Sequence, residues 1–288
     1  MVFINFNDIE FSVDMIRLES IVPMDFNGQI DAVLNVGTSP YVRYWEKFGF
    51  KDYRHNFAYD DGNVNFWVGY EFILSDKLRE DSRTIVIEFN PNKNKLDGVL
   101  LKLLGRVNMF RKADWKVKGV DVALDLRGVP RNSVFYDKGY RKNYREYYSN
   151  GSRTTYLGNR GWGGIKIYDK AKEQGLECDW TRIEYTIKLN LDLMYYKELK
   201  DIEQDMGFIW TLDVSKIDDV TTKALYICLQ NGDIDISELT PYMKRKLRKL
   251  ADSQSLVFDN NIEKDVCVAI ITYLDTFVNS VCVEALPF

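Results

Sequence analysis

The chain has 288 residues, a formal net charge of −4 and an apolar fraction of 45%, which is ordinary for a globular protein. It is long enough for one large domain or two small ones, each with a buried core. No apolar run approaches the ~20 residues that span a bilayer, and the N-terminus lacks the features of a signal peptide. The cysteines are scattered without metal-site spacing, so we expect a cytoplasmic protein in a reducing environment, with no membrane contact.

The N-terminal third of the chain is predicted to be mostly β-strand. Alternating apolar and polar residues predict strands at 15–22, 54–59, 64–70 and 84–90. The turn-forming run at 60–63 joins two of them as a hairpin. A short helix is expected at 41–48, and leucines at helical spacing predict another at 96–110.

The middle of the chain is predicted to continue the sheet, and the end is predicted to be helical. Strands are expected at 119–126, 154–157, 165–168 and 181–188, with a polar loop at about 127–152. Helices are expected at 214–229, 237–251 and 262–281. Thr240 and Pro241 are typical of the N-cap and the first position of the second helix.

Strands followed by helices predict an α+β fold, with a curved antiparallel β-sheet core, packed helices and a helical C-terminal region. The change of pattern near residue 190 predicts two parts. Residues 1–190 would form a sheet-rich domain, and residues 191–288 would form a helical region.

Period-two alternation places a set of reactive side chains on the polar faces of the central strands. The set consists of Glu88, Asp121, Asp125, Lys166, Tyr168, Lys170, Arg182 and Glu184. If these strands share one sheet, a tyrosine hydroxyl, basic side chains and carboxylates converge. That combination suits metal-assisted attack of a tyrosine on a phosphodiester.

The carboxylates in this set are candidate metal ligands. Asp121 and Asp125 flank the small Ala123 on one strand face, where they repel each other unless water, a cation or a basic side chain intervenes. Because His55 is the only histidine, a metal would depend on oxygen ligands, which suit Mg²⁺ or Mn²⁺. The alternative is a set of salt bridges between these acids and neighbouring Arg and Lys side chains.

Tyr168 is the leading candidate nucleophile. A phenol with a pKa of about 10 is a weak nucleophile and needs help. Lys166 and Lys170 share its predicted face, where they would stabilise a phenolate or hold a phosphate. Tyr156 and Tyr136 are the competing tyrosines. No Gly-x-Ser-x-Gly element and no Walker phosphate loop is present, which argues against a serine hydrolase and a P-loop ATPase.

The distribution of charge favours a nucleic-acid partner despite the acidic total. Between Lys93 and Lys172 the basic residues exceed the acidic ones by about twelve. Tyrosines interleaved with basic residues at 136–148 are typical of surfaces that bind single strands. The predicted helix at 241–251 carries Lys244, Arg245, Lys246, Arg248 and Lys249. The alternative interpretation of both segments is a solvated basic surface.

Several motifs together resemble the Rep_trans family, the rolling-circle replication initiators of staphylococcal-type plasmids and related nicking enzymes of conjugative elements. The similar segments are Glu-Phe-Asn-Pro-Asn-Lys at 88–93, Val-Asp-Val-Ala-Leu-Asp at 120–125, Tyr-Leu-Gly with Arg160 at 156–160, Ile-Lys-Ile-Tyr-Asp-Lys at 165–170 and Trp-Thr-Arg-Ile-Glu at 180–184. One departure is Lys166, which stands where the family has an arginine and keeps the charge without the bidentate fork.

The resemblance implies a metal-dependent, origin-specific DNA nickase and strand transferase in which Tyr168 forms a 5′-phosphotyrosyl link. It implies Mg²⁺ or Mn²⁺ bound by Glu88, Asp121 and Glu184 with Asp125, and phosphate contacts from Lys166, Lys170 and Arg182. Double- and single-stranded origin DNA, a second copy of the chain and a host helicase are the implied partners. Arg160 and the basic helix would contact DNA.

Two other functions fit the same residues. A conjugative-element relaxase would use the same chemistry on a different target. A non-catalytic origin-binding protein would keep the fold without the reaction, although the presence of Tyr168 and the carboxylates favours an enzyme.

Overall fold

A computed structural model of the chain describes residues 9–49, 52–91, 98–107, 114–136, 143–149, 152–158, 164–201, 209–211, 217–231, 233–254, 256–257 and 260–284. The fold is α+β, with a large antiparallel sheet of ten strands that does not close. The predicted fold class is therefore confirmed. None of the described helices combines the length and apolar character that a bilayer crossing requires.

The strands are β1 (Ile9–Pro23), β2 (Val42–Glu46), β3 (Tyr53–Asp60), β4 (Asn65–Phe72), β5 (Ser82–Phe89), β6 (Trp115–Arg127), β7 (Phe135–Tyr136), β8 (Tyr144–Ser149), β9 (Ser152–Leu157), β10 (Ile165–Asp169), β11 (Trp180–Asp192), β12 (Ile209–Thr211) and β13 (Leu256–Val257). The large sheet has the order β2-β3-β4-β5-β1-β6-β11-β10-β9-β8, and β13-β12-β7 form a small second sheet.

The α-helices are α1 (Asn27–Leu34), α2 (Ile73–Asp76), α3 (Val99–Arg106), α4 (Lys170–Glu173), α5 (Val220–Asn231), α6 (Pro241–Gln254) and α7 (Asn260–Glu284). Short 3-10 helices lie at Arg131–Ser133, Leu193–Asp201 and Ile236–Glu238. The predicted helices in the C-terminal part are thus present as α5, α6 and α7.

Contacts along the chain divide it into two compact units. The Tyr168 unit comprises Met1–Phe11, Ala123–Thr186 and Glu203–Val266, and the Glu88 unit comprises Ser12–Val122, Ile187–Ile202 and Cys267–Phe288. Strands β6 and β11 each contribute residues to both units. The predicted domain boundary at residue 190 does not coincide with a boundary between these units, and it stays a prediction.

In the Tyr168 unit, β10 pairs antiparallel with β11 on one side and with β9 on the other. The apolar residues Ile165, Ile167 and Ile183 are buried on one face of these strands. Because side chains alternate, the intervening positions share the other face. This register places the polar residues of β10 beside those of β11.

A small hydrophobic core joins α5 and α6 in the same unit. Its buried members are Ile217, Tyr226, Leu229, Leu239 and Leu247. The Thr240 hydroxyl accepts the backbone N–H of Met243 at 3.3 Å, so the predicted N-cap of this helix is confirmed. Tyr242 on this helix is exposed, and Met243 packs against the core.

In the Glu88 unit, β5 lies between β1 and β4 in antiparallel register. Ile85 and Ile87 on β5 and Ile16 and Leu18 on β1 are fully buried, as the alternating pattern predicted. Helix α1 packs on α3.

Two local predictions are wrong. The helix expected at 41–48 is strand β2, which pairs with β3 at the edge of the sheet, where the Tyr44 hydroxyl donates to Glu46 Oε1 at 2.6 Å. The polar loop expected at 127–152 contains β7 and β8. In both segments tyrosine and other β-forming residues pair with a neighbouring strand, and this tertiary pairing outweighs the local pattern.

Candidate active site

The candidate active site lies on the polar face of β10 and β11 in the Tyr168 unit. Tyr168 is directly opposite Arg182, and Lys166 is directly opposite Glu184. The sequence prediction that these side chains share one face is therefore confirmed. On the other side of β10, Lys166 is opposite Tyr156, which brings the competing tyrosine to the same face.

The Tyr168 side chain is buried, with 5% of its surface exposed. Its hydroxyl donates to Glu184 Oε1 at 2.6 Å. The Lys166 ammonium donates to the other oxygen of Glu184 at 3.2 Å and lies 3.9 Å from the centroid of the Tyr168 ring. Tyr168, Glu184 and Lys166 thus form one connected group, in which the carboxylate accepts from both partners.

Burial raises the pKa of Tyr168 well above the usual value of a phenol, and the negative charge of Glu184 together with the hydrogen bond to it raises the pKa further. The cationic Arg182 acts in the opposite direction but does not compensate. At neutral pH Tyr168 is therefore a neutral phenol with its proton directed at a carboxylate.

Lys170 lies near Tyr168, but not through strand alternation, which was the predicted reason. Strand β10 ends at Asp169, whose carboxylate caps α4 by accepting the Lys172 N–H at 2.9 Å. Lys170 is the first residue of α4, so alternation does not apply to it. Its ammonium nevertheless lies 5.7 Å from the Tyr168 ring centroid and donates to Glu173.

Asp125 is held by a buried ion pair. The Arg182 guanidinium donates to both of its oxygens, from Nε at 2.7 Å and from Nη2 at 2.5 Å, and the Trp180 indole N–H donates at 2.6 Å. The exposed fractions of the Arg182 and Asp125 side chains are 13% and 5%. The Asp125 carboxylate therefore holds the Arg182 guanidinium in place. A metal ion bound to Asp125, as predicted, would compete with Arg182 for the same oxygens.

The remaining predicted ligands lie in the Glu88 unit. Glu88 is directly opposite both Arg17 and Trp67, and its carboxylate lies 3.9 Å from the Arg17 guanidinium. Asp121 is half-buried on β6. Over the described ranges, no three His, Cys, Asp or Glu side chains are grouped closely enough to hold a metal ion.

Two basic side chains of helix α6 are hydrogen-bonded to other residues of the same unit. Lys246 donates to Asp219 at 2.8 Å, and Lys244 donates to the Ser237 carbonyl at 3.2 Å. Arg245 and Lys249 are exposed. The Arg248 side chain and all of Arg160 lie outside the described residues, so their predicted DNA contacts stay predictions.

Trp180 was not among the predicted site residues, although its indole N–H donates to Asp125. Period-two spacing from Arg182 and Glu184 places it on their face, and that signal was available in the motif at 180–184. The Arg127 guanidinium covers the Trp180 ring at 3.3 Å, which fixes the indole beside Asp125.

No family model and no curated protein matches the chain. Among solved structures, the chain is similar to a rolling circle replication initiator protein from Geobacillus stearothermophilus, at 13% identity and a TM-score of 0.40. The similarity covers 85% of this chain and 97% of that one.

Proposed function

We propose that this protein is an origin-specific DNA nickase and strand transferase that initiates rolling-circle replication in the cytoplasm. The observation that carries the proposal is the Tyr168–Glu184–Lys166 group, in which a tyrosine hydroxyl is hydrogen-bonded to a carboxylate beneath an ammonium. These residues fall within the segments at 165–170 and 180–184 that resemble the Rep_trans motifs.

The proposed reaction exchanges one phosphodiester bond for another. The Tyr168 oxygen attacks the phosphorus of one DNA strand while its proton passes to Glu184, and the bond from phosphorus to the 3′ oxygen breaks. The 5′ phosphate remains on Tyr168, and the 3′ oxygen takes a proton to become the hydroxyl that primes a polymerase. Lys166, Lys170 and Arg182 would hold the phosphate oxygens.

A divalent cation is part of the proposal because of the resemblance and the carboxylate chemistry. The resemblance implies Mg²⁺ or Mn²⁺ held by carboxylates, which would supply charge neutralisation at a phosphate. The described side chains do not fit such a site as they stand, since Glu184 is engaged by Lys166 and Tyr168. We expect Glu88→Ala, Asp121→Ala and Glu184→Ala to abolish Mn²⁺ binding, measured by calorimetry. Binding that is unchanged in all three variants would contradict the ligand set.

The nucleophile is tested on supercoiled plasmid that carries a candidate origin, with Mg²⁺ or Mn²⁺ present. We expect Tyr168→Phe to abolish nicking and the covalent protein–DNA adduct while duplex binding changes little. Tyr156→Phe is the matched control, because Tyr156 shares the face but packs on Tyr147 with ring centroids 5.7 Å apart. An adduct that survives Tyr168→Phe and disappears in Tyr156→Phe would reassign the nucleophile.

Recognition of the origin duplex is proposed for helix α6. Leu247 anchors the helix in the core, while Arg245 and Lys249 remain exposed for DNA. A homodimer and a host helicase are further proposals from the resemblance, and sedimentation of the protein with and without origin DNA tests the dimer.

A further inference from the structure

The Tyr168 unit contains a cavity of about 740 Å³ that the proposed reaction does not use. Its volume is within the range of small-molecule binding sites, about 300–1,000 Å³. The cavity is lined by segments at 130–136, 148–153, 169–180 and 229–238, all of which belong to this unit. Asp169, the residue that follows Tyr168 in the chain, lines this cavity.

The walls of the cavity include aromatic side chains. Tyr136, Tyr148 and Trp180 all line it. Tyr148 is 70% exposed, so most of its ring is accessible to a stacking partner. Aromatic rings of this kind stack on nucleobases in proteins that bind single strands.

The polar lining favours a base over a phosphate. Basic lining residues are Arg131, Arg153 and Lys172, whereas acidic ones are Asp169, Glu177, Asp179, Asp235 and Glu238. The arginines are already engaged: Arg131 donates to Thr155 at 2.6 Å, and Arg153 donates to Asp235 at 3.1 Å. Asp169 caps α4 and Asp235 forms a capping box with Glu238, so the acceptors offered to an exocyclic amino group are the exposed Glu177 and Asp179.

We propose that this cavity binds a nucleobase that carries an exocyclic amino group, from the single strand that Tyr168 nicks. The base stacks on Tyr148 and directs its amino group at Glu177 and Asp179. Its phosphate stays outside, at the ends of β10 and β11, where Trp180 both lines the cavity and lies on the face of Tyr168. This proposal rests on the proposed function for the identity of the ligand, and it adds sequence preference to the nicking site.

Strand β8 offers a matched pair of variants. Tyr148 is opposite Arg153 and lines the cavity, whereas its neighbour Tyr147 contacts Tyr156 and belongs to the face of Tyr168. Both tyrosines are exposed, so neither substitution removes core packing. The two variants therefore compare loss of an aromatic ring on the cavity face with the same loss on the opposite face.

The test measures binding of the full chain to oligo-dT that contains one substituted nucleotide. Deoxycytidine is compared with deoxyuridine, and deoxyadenosine with deoxyinosine, since each pair differs by an amino group replaced with a carbonyl. We expect the wild type to prefer the amino-bearing member of at least one pair by about 5- to 150-fold, which corresponds to ~1–3 kcal/mol. Tyr148→Ala should abolish the preference, and Tyr147→Ala should keep it.

Equal binding within both pairs, or a preference that survives Tyr148→Ala, would overturn the proposal. The result is separable from the nickase proposal because binding requires no reaction. If the plasmid is nicked through Tyr168 but no preference is seen, only the cavity assignment fails. If no adduct forms at Tyr168, the nickase proposal fails whatever the oligonucleotides show.

Discussion

Substitution of Asp125 separates an ion-pair role from a metal-ligand role. Asp125→Ala removes the carboxylate that accepts from the Arg182 guanidinium and the Trp180 N–H, in a site where Arg182 is only 13% exposed. Removing one partner of a buried pair costs about 3–5 kcal/mol of unfolding free energy. At about 2–4 °C per kcal/mol for a protein of similar size, the melting temperature should fall by roughly 6–20 °C.

The assay is thermal unfolding in the presence of a chelator, which removes any contribution from bound metal. Glu173→Ala is the control, because Glu173 pairs with Lys170 through a side chain that is 47% exposed. A surface pair of that kind is worth about 0–1 kcal/mol. The double variant Asp125→Ala with Arg182→Met should lose less stability than the sum of the single variants, since no unpaired charge remains buried.

The competing interpretation makes the opposite prediction. If Asp125 is mainly a metal ligand, it is repelled by other carboxylates when no metal is bound. Its removal then relieves that repulsion, and the metal-free variant is at least as stable as the metal-free wild type. Wild-type stability of Asp125→Ala in chelator, together with loss of Mn²⁺ binding, would refute the ion-pair account. Additive losses in the double variant would refute the coupling to Arg182.

Three further outcomes are expected. Lys166→Met should tighten Mn²⁺ binding in calorimetry, because it frees Glu184 Oε2 from the ammonium. Lys170→Met should not tighten Mn²⁺ binding, and equal effects of the two substitutions would show that only net charge matters. Because its pKa is raised, Tyr168 should stay un-ionised as pH rises past about 10, where an ordinary phenol ionises. Wild type and Tyr168→Phe should then gain equal tyrosinate absorbance up to about pH 11, and a smaller gain in the variant would contradict this. Replacing Arg245 and Lys249 with Ala should lower the salt slope of origin binding by roughly two, and an unchanged slope would remove α6 from the DNA contact.

The sequence was most informative where alternation is strong and strands are buried on one face. Ile165, Ile167 and Ile183 specify which side of β10 and β11 is buried, so the shared face of Tyr168 and Glu184 could be predicted without coordinates. Lys170 shows the limit of the argument, because its proximity to Tyr168 depends on the Asp169 cap and the start of α4, and not on alternation.

Pairing between side chains was less predictable than placement on a face. The acids could be assigned to polar faces, but whether each would meet a metal or a cationic side chain depends on which strands are neighbours. Asp125 meets Arg182 because β6 and β11 are adjacent in the sheet, and this adjacency is a property of topology that a linear pattern does not contain. Strand β2 was missed because its extended structure depends on pairing with β3 and not on its own apolar pattern.

Neither compact unit is a continuous stretch of chain, and this has a genetic consequence. Each unit is assembled from three segments, and strands β6 and β11 contribute to both units. A single recombination crossover between two related genes therefore cannot transfer one unit intact. Hybrids with a single junction inside the codons for β6 or β11 would join half of a strand from each parent. Exchange of whole α5–α6 segments, which lie within one unit, should be tolerated far more often.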